Sequence, residues 1–485
     1  MNEQFRIAQK IGLMFRPGTL IPKDIKTWAI SQLHANSPAL GIATRTKSSE
    51  VKPWPQSMQP DLEERARLFR LLQGNYIKNR EIKNEKERKA IDHQNYEDHS
   101  MLEKDEMKFA HRNVYGKDQI RLRLMSFWAN HFTIGDVFMN EGVIGHAMEE
   151  AILANLNSSF SDMLYKVTTH PGMLTYLDNN YSAGEESKHN IWCRQQVDCQ
   201  AGLNDNLGRE LLELHTLSPK AGYSETDVRQ TAKVLAGWGA NQDVSIEKLK
   251  KYNGTADHWD MYKNHYAEPG NKKVLGKLIG TGKGGLRQLT DHLASNEHTI
   301  MHLSEKLCQH FVSDNPQKKD IDFIANSWRS GKGDLDQIHS AVIDRAINSK
   351  DDKFQWPMTW LFQVLRLSDA TFIKGWQDVY SHDKELMDVK KIFEELGQSL
   401  FSERQPNGYS SKKEEWLSAE MFERRLRFSD AIYKVGKTKT SPEEIMDRIG
   451  ANMATRNLVE SAGSARGHRF VALMCSPELM GLNSV

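Results

Sequence analysis

The chain has 485 residues, enough for about three domains of ordinary size or for one large helical body. It carries 65 Lys and Arg residues against 64 Asp and Glu residues, a formal net charge of +1, so charge gives no reason to expect binding to nucleic acid or to an anionic membrane. With 27% charged and 39% hydrophobic residues the composition is globular, which excludes an intrinsically disordered chain.

The first 60 residues predict two helices and then a loop. Residues 1–35 carry apolar side chains at helical spacing on both sides of a turn at Arg16-Pro17-Gly18. Four prolines predict a loop over 36–60. The N-terminus shows no apolar run of signal-peptide length, and no segment reaches the ~18 apolar residues of a membrane span. As the sequence is given, we expect a soluble, cytoplasmic protein.

Helical patterns continue through the rest of the chain. Residues 61–115 mix both charge signs at i,i+4 spacing, which indicates solvated helices. Aromatic and aliphatic residues over 118–132 predict a core helix, another helix is expected over 145–168, and 171–180 carries a turn. Further helices are predicted over about 204–217, 224–238, 286–313, 334–348, 356–368, 385–396, 415–434, 441–460 and 464–474.

Strand-like alternation is nearly absent, so the predicted fold class is all-α: a large multi-helical globular protein with long loops and few or no strands. Any strands should be short pairs near 240–280. The organisation we expect is an N-terminal helical region over 1–240, an irregular region over 241–285 and a C-terminal helical region over 286–485, together one continuous domain.

The four cysteines form no metal or redox motif. Cys193, Cys199, Cys308 and Cys475 include no Cys-x-x-Cys pair and match no zinc-finger spacing. We therefore expect scattered buried thiols rather than disulfides, which fits a cytoplasmic protein.

The densest polar motif is on the helix predicted over 204–217. Glu210 and Glu213 lie three residues apart on one face, where they could act as metal ligands or as acid and base. A buried structural ion pair, with Arg209 or the loop 218–223 supplying partners, is the alternative. His215 lies two residues after Glu213, on the opposite side of a regular helix, so the two cannot share one ligand sphere unaided.

His131 is the third polar candidate for this site, because its surroundings, Phe127-Trp128-Ala129-Asn130-His131-Phe132, are otherwise apolar. A histidine among aromatic residues can equally be a satisfied core group. The second predicted helix of the motif begins at Ser224, a suitable N-cap, with Asp227 in place of the usual Glu of a capping box.

Several known motifs are excluded. His298 and His302 have i,i+4 spacing, but Thr299 stands where a zincin carries Glu. The glycine-rich run 276–285 fails the P-loop pattern because Gly284 follows Lys283. The sequence contains no Gly-x-Ser-x-Gly elbow, so nothing supports nucleophilic hydrolysis.

The chain resembles a bacterial family known as domain of unknown function 1800. The resemblance is carried by blocks that follow in order along nearly the whole chain. They are Arg6…Gly12…Arg16-Pro17-Gly18, Phe127–Phe132, His170–Asn179, Asn206–Leu217, Gly222–Val228, Gly237-Trp238, His265 with Gly270–Gly276, Lys306-Leu307…Phe311–Asp314, Pro406–Tyr409 with Trp416-Leu417, and Ser476–Glu478. His298 and His302 match no histidine of the family.

The resemblance implies an all-helical fold, frequent export, and a protein partner encoded by a neighbouring gene whose family resembles phosphatases or sulfatases. It implies no reaction, so it assigns no catalytic residue. Two hypotheses follow. The first is a metal-dependent enzyme, a hydrolase for example, whose candidate catalytic residues are Glu210, Glu213 and His131. Its divalent transition metal would be held by Glu210, Glu213, His131, His215 and His265. The favoured hypothesis is a non-catalytic binding or assembly protein that acts with a partner.

Overall fold

The structure is a computed structural model, and it describes residues 1–45, 48–60, 65, 84–137, 140–239, 262–378, 387–401 and 405–482. Predictions that fall on 61–64, 66–83 and 240–261 lie outside the described residues. The described chain is mostly α-helical, which confirms the predicted fold class.

The described residues form 21 α-helices. Their bounds are α1 Glu3–Ile11, α2 Ile25–Ser31, α3 Glu85–Tyr115, α4 Gln119–His131, α5 Glu141–Ala147, α6 Phe160–Thr168, α7 Pro171–Tyr176, α8 Lys188–Cys193, α9 Asn206–Glu213, α10 Glu225–Leu235, α11 Gly282–Ala294, α12 Glu297–Phe311, α13 Lys318–Ser330, α14 Leu335–Asn348, α15 Pro357–Ser368, α16 Val389–Glu395, α17 Lys413–Trp416, α18 Ala419–Val435, α19 Pro442–Ile449, α20 Met453–Ser461 and α21 Arg466–Met474.

Two antiparallel hairpins accompany the helices. Strand β3, Lys272–Val274, pairs with β4, Lys277–Ile279, in the region where short strands were predicted. Strand β1, Leu40–Thr44, pairs with β2, Ser48–Pro53, so the prediction of a loop over 36–60 is wrong. The prolines did not prevent pairing because they lie before the hairpin, at its last residue or beyond it, where a missing N–H interrupts no inner hydrogen bond.

The predicted helix over 145–168 is interrupted. Helix α5 continues through a π-helical turn, Met148–Ile152, and a 3-10 turn, Leu153–Asn155, before the chain leaves the helical path. Ser159 then starts α6, and its side chain accepts a hydrogen bond from the backbone N–H of Asp162. A serine cap inside an apolar run is the local signal that separates the two helices.

The predicted cap of α10 is confirmed. Ser224 Oγ accepts from the Asp227 N–H at 3.2 Å, and the Asp227 carboxylate accepts from the Ser224 N–H at 3.0 Å. The second carboxylate oxygen accepts from the Leu275 N–H at 2.8 Å. Asp227 therefore both caps α10 and ties the β3–β4 hairpin to the start of that helix.

One cluster of buried apolar side chains includes residues from Phe5 to Leu479, so both predicted helical regions contribute to the same core. A smaller cluster, formed by Phe354, Trp356, Trp416 and Met480, lies apart from it. In the described part of the chain, every helix is too short or too polar to cross the hydrocarbon layer of a membrane.

The prediction of four unpaired thiols is wrong, because Cys193 and Cys199 form a disulfide. Cys193 is the last residue of α8, and Cys199 follows six residues later. The spacing rules used to search for zinc and redox motifs do not cover a disulfide with this separation, so the sequence analysis missed it. Cys308 and Cys475 are buried free thiols, and burial raises their pKa values to about 12 and about 11.

We expect the Cys193→Ser/Cys199→Ser double variant to lose about 2 kcal/mol of unfolding free energy, because so short a disulfide loop removes little entropy from the unfolded chain. Denaturant unfolding without reductant measures the difference. Wild type treated with a phosphine reductant should match the variant. Equal stability of oxidised wild type and variant would contradict the expectation.

Candidate ligand-binding cleft

A polar concavity that includes the predicted site residue His131 lies where α4, α12 and the segment 405–416 meet. It has a volume of about 500 Å³, within the range of small-molecule sites. Its walls combine aromatic rings with amide, hydroxyl and basic side chains and one acidic side chain, that of Glu415, which accepts from the Ser410 hydroxyl at 2.8 Å. The wall residues are Phe127, Asn130, His131, Lys306, His310, Trp356, Gln405, Asn407, Gly408, Tyr409, Ser410, Ser411, Lys412, Glu415 and Trp416.

His131 occupies the last turn of α4, and both of its ring nitrogens are engaged. Nε2 lies 3.2 Å from the backbone carbonyl oxygen of His215, and Nδ1 lies 3.0 Å from Nζ of Lys306. A carbonyl oxygen only accepts, so Nε2 carries the proton and Nδ1 holds the lone pair that accepts from the ammonium group. Burial, and then the charge of Lys306, holds the pKa of His131 well below its usual value. His131 is thus a neutral acceptor for Lys306.

Lys306 projects from α12 into the same space. Its ammonium group is partly buried, and burial lowers its pKa to about 8. Within the described residues no carboxylate pairs with it, and His131 is its only hydrogen-bond partner. A lysine in this environment keeps most of its positive charge at pH 7 without an acidic neighbour to offset it.

His215 lies behind His131 in an apolar setting. The two ring centroids are 6.3 Å apart, and the Phe132 ring is 5.3 Å from His215. The side chain is fully buried, and neither ring nitrogen has a hydrogen-bond partner within the described residues. Burial lowers its pKa to about 3, so the ring is neutral.

Glu210 and Glu213 make different contacts on α9. Glu213 Oε2 accepts from the Tyr223 hydroxyl at 2.8 Å, so the loop before α10 supplies its partner. Burial, and then the charge of Glu213, raises the pKa of Glu210. Arg209 pairs instead with Glu225, at 2.8 Å. The His215 N–H donates to the backbone carbonyl oxygen of Glu210 at 3.0 Å, but in the described part of the chain no hydrogen bond or ion pair joins the carboxylate of Glu210 or Glu213 to the ring of His131, His215 or His265.

His265 lies elsewhere, beside α8. Its ring centroid is 6.1 Å from that of His189 and 4.7 Å from the Tyr266 ring. His189, Cys193 and Cys199 place one ligand atom each within 4.8 Å of one another, yet the disulfide withholds both thiolates. This group therefore offers a metal one imidazole, which is too few ligands for zinc.

His146, Glu150 and His170 form a second compact group of this kind. His170 Nδ1 accepts from the Gly172 N–H at 3.1 Å, so a neutral His170 carries its proton on Nε2. That N–H faces Nδ1 of His146, 3.2 Å away. His170 Nε2 therefore donates a hydrogen bond to His146 Nδ1. Because a protonated ring nitrogen has no lone pair, Nε2 of His170 is not a metal ligand in this arrangement.

The model of one protein family, described as a protein of unknown function (DUF1800), matches residues 16–470. The chain belongs to this family. No curated protein and no solved structure matches it.

Three of the blocks that carry the resemblance to the family meet at the cleft. Phe127–Phe132 supplies the α4 wall, the block that begins at Lys306 supplies the α12 wall, and Pro406–Tyr409 with Trp416 supplies the third. Asn130 joins two of these walls directly. Its Nδ2 donates to the Tyr409 carbonyl oxygen at 3.0 Å, and its Oδ1 accepts from the Tyr409 N–H at 2.8 Å.

Sequence reasoning found His131 but missed Lys306 and Arg123. Lys306 stood inside a resemblance block, and Arg123 is a cation within the apolar run of α4, where the structure buries it. The sequence did contain a signal for Arg123, a charged residue among the apolar positions of α4, because arginine is seldom fully buried unless it is paired. Glu210 and Glu213 are not among the residues that line this cleft, and their predicted role stays a prediction.

Proposed function

We propose that this chain is a non-catalytic binding protein whose cleft takes a polar ligand with an anionic group, and that the anionic group pairs with Lys306. One observation carries the proposal. Lys306 holds a positive charge at the wall of a 500 Å³ cleft, where the neutral ring of His131 is its only hydrogen-bond partner in the described chain.

The rest of the cleft suits such a ligand. Its wall includes the amide of Asn407 and the hydroxyl groups of Ser410 and Ser411. It also includes the rings of Trp356 and Trp416, whose centroids are 6.1 Å apart. Hydroxyl and amide groups beside aromatic rings bind polyhydroxylated compounds, in which polar edges alternate with apolar faces. An acidic sugar combines these features with a carboxylate, and glucuronate is the simplest probe. A protein partner from a neighbouring gene stays a prediction of the family resemblance.

We expect glucuronate to bind wild type and the Lys306→Met variant to bind it at least ten times more weakly at pH 7, because the variant loses the charge-assisted contact. Isothermal titration calorimetry gives both constants. Lys318→Met removes an exposed lysine on α13 and should bind as wild type does. Equal affinity of wild type and Lys306→Met, or no binding of glucuronate or inorganic phosphate to wild type, would refute the proposal.

A metal-dependent enzyme built on Glu210 and Glu213 is the alternative proposal. It is favoured by the position of Glu210 and Glu213 three residues apart on α9, where burial and the charge of Glu213 raise the pKa of Glu210. Elemental analysis of protein purified without chelator tests it. At least half an equivalent of a transition metal, lost in Glu210→Ala/Glu213→Ala, supports the enzyme; the same low content in both proteins rejects it.

We also propose that the chain works in an oxidising compartment, because a disulfide persists there and is rare in the cytoplasm. The expectation of a cytoplasmic protein rested in part on four unpaired thiols, and the Cys193–Cys199 disulfide removes that support. Alkylation of protein from its native cells, under denaturing conditions without reductant, should label two cysteines. Labelling of all four would return the protein to a reducing compartment.

A further inference from the structure

A second cavity lies behind the cleft and is mostly apolar. Asn130, His310, Trp356 and Tyr409 line both spaces, so they form the wall between them. The cavity measures about 80 Å³, which at ~10–15 Å³ for each water-sized atom gives room for about five to eight non-hydrogen atoms.

Arg123 lines this cavity and is its only fully charged side chain among the described residues. The side chain is 4% exposed. Nη2 lies 3.5 Å from Nε2 of His310, whereas Nε and Nη1 are buried and have no hydrogen-bond acceptor in the described chain. No carboxylate pairs with Arg123 there, and the Phe311 ring, 5.6 Å from its guanidinium carbon, is its other neighbour of note.

Arg366 shows that this fold can satisfy a buried arginine with backbone carbonyl oxygens. Arg366, equally buried, donates to four carbonyl oxygens, those of Met14, Asn113, Val114 and Gly116. A buried guanidinium without acceptors is costly, so a fold that can satisfy one arginine and leaves another facing an apolar cavity indicates a role for the second.

We propose that this cavity is a separate binding site for a short aliphatic carboxylate, whose carboxylate pairs with Arg123 and whose chain occupies the apolar space. The N–H groups of Nε and Nη1 each lack an acceptor, and an ionised carboxylate is the acceptor with which a guanidinium forms its strong, charge-assisted hydrogen bonds. Ile144, Ala147 and Phe362 are among the side chains that contact the alkyl chain. About five to eight non-hydrogen atoms correspond to propanoate through hexanoate. The site goes beyond the proposed function, because it does not use Lys306.

The test is calorimetric titration of wild type with the series acetate, butanoate, hexanoate, octanoate and decanoate, with hexanamide as the uncharged analogue. Affinity should rise about three- to fourfold for each methylene up to hexanoate and then level off, because the chain has filled the cavity. Hexanamide should bind at least thirtyfold more weakly than hexanoate, and Arg123→Met should weaken hexanoate by a similar factor.

Two further variants locate the site. Ala147→Leu places three more carbons in the cavity and should move the best ligand from hexanoate towards propanoate. Ala129→Val adds two carbons and should move it by about two, towards butanoate. The Lys306→Met variant should show the same dependence of carboxylate affinity on chain length as wild type, whereas its binding of glucuronate should be weakened. Affinity that does not change along the series, hexanoate binding unaffected by Arg123→Met, or no carboxylate binding at all would overturn this site. Glucuronate binding that depends on Lys306 would still stand.

Discussion

Arg366→Met is expected to lower the free energy of unfolding by about 3–5 kcal/mol, whereas Arg123→Met is expected to raise it by about 2–4 kcal/mol. Burial lowers the pKa of each guanidinium to about 9, so desolvation costs are similar. The difference lies in the acceptors. Arg366 joins the segment after α1 to the end of α3 through four carbonyl oxygens. Its loss leaves them without a donor, whereas methionine in place of Arg123 removes a buried guanidinium whose Nε and Nη1 have no acceptor in the described chain.

Urea unfolding at pH 7, followed by circular dichroism, measures both differences on proteins without added carboxylate. Arg425→Met is an intermediate case. Its guanidinium donates one hydrogen bond, at 2.7 Å to the Gln355 carbonyl oxygen, and stacks on the Phe354 and Trp360 rings. We expect its effect to fall between the other two. Destabilisation of Arg123→Met as large as that of Arg366→Met would show that Arg123 is a structural residue, and would remove the reason for a ligand there.

Much of the helical architecture could be predicted from the sequence because each helix has to bury one face. The spacing of Ile120, Leu124 and Phe127 fixes the orientation of α4 without knowledge of its neighbours. The Ser224 cap depends only on residues within one turn, and the structure confirms it. Features of this kind are local, so the sequence contains the whole of the evidence for them.

The β1–β2 hairpin could not be predicted in the same way. Ile42 is fully buried, and its carbonyl oxygen accepts from the Trp376 N–H at 3.3 Å, from a segment more than 300 residues away in the chain. Asp378 accepts from the Arg45 N–H at 2.7 Å in the same region. The hairpin is stabilised by these distant partners, whereas local composition, rich in proline, favoured a loop.

The candidate site also has features that nearby residues determine and features that depend on partners far away in the sequence. The sequence identified the Phe127–Phe132 block and placed His131 among aromatic residues, both of which are correct. It could not show that Lys306 would meet His131, because no spacing rule relates positions 175 residues apart. It grouped Glu210 with His131 by polarity alone, and the structure places Glu213 of the same pair against Tyr223. Whether Glu210, Glu213 and His131 carry catalysis stays a prediction.

The stability gained by Lys306→Met is expected to depend on pH. The pKa of Lys306 is about 8 in the folded protein, against 10.5 for an exposed lysine. Below pH 8 the group is protonated in the folded and unfolded states, so the cost of burying the charge is fully present. Between about 8 and 10.5 the folded protein releases the proton while the unfolded chain keeps it, and the cost declines. Above 10.5 both states are neutral and the cost is absent.

The difference of 2.5 pKa units corresponds to about 3 kcal/mol at pH 7, at ~1.4 kcal/mol for each unit. By pH 9.5 the same linkage leaves about 1 kcal/mol, so the advantage of Lys306→Met over wild type should shrink by about 2 kcal/mol between these two pH values. The loss of the donor to His131 Nδ1 offsets part of the gain, but equally at both pH values, because His131 stays neutral throughout.

Urea unfolding of both proteins at pH 7 and 9.5 measures this change directly. The Lys318→Met variant, which alters an exposed lysine on α13, should show no such change. A constant difference between wild type and Lys306→Met would mean that the lysine titrates as a solvated group. The cleft would then lack the uncompensated charge on which anion binding at Lys306 depends.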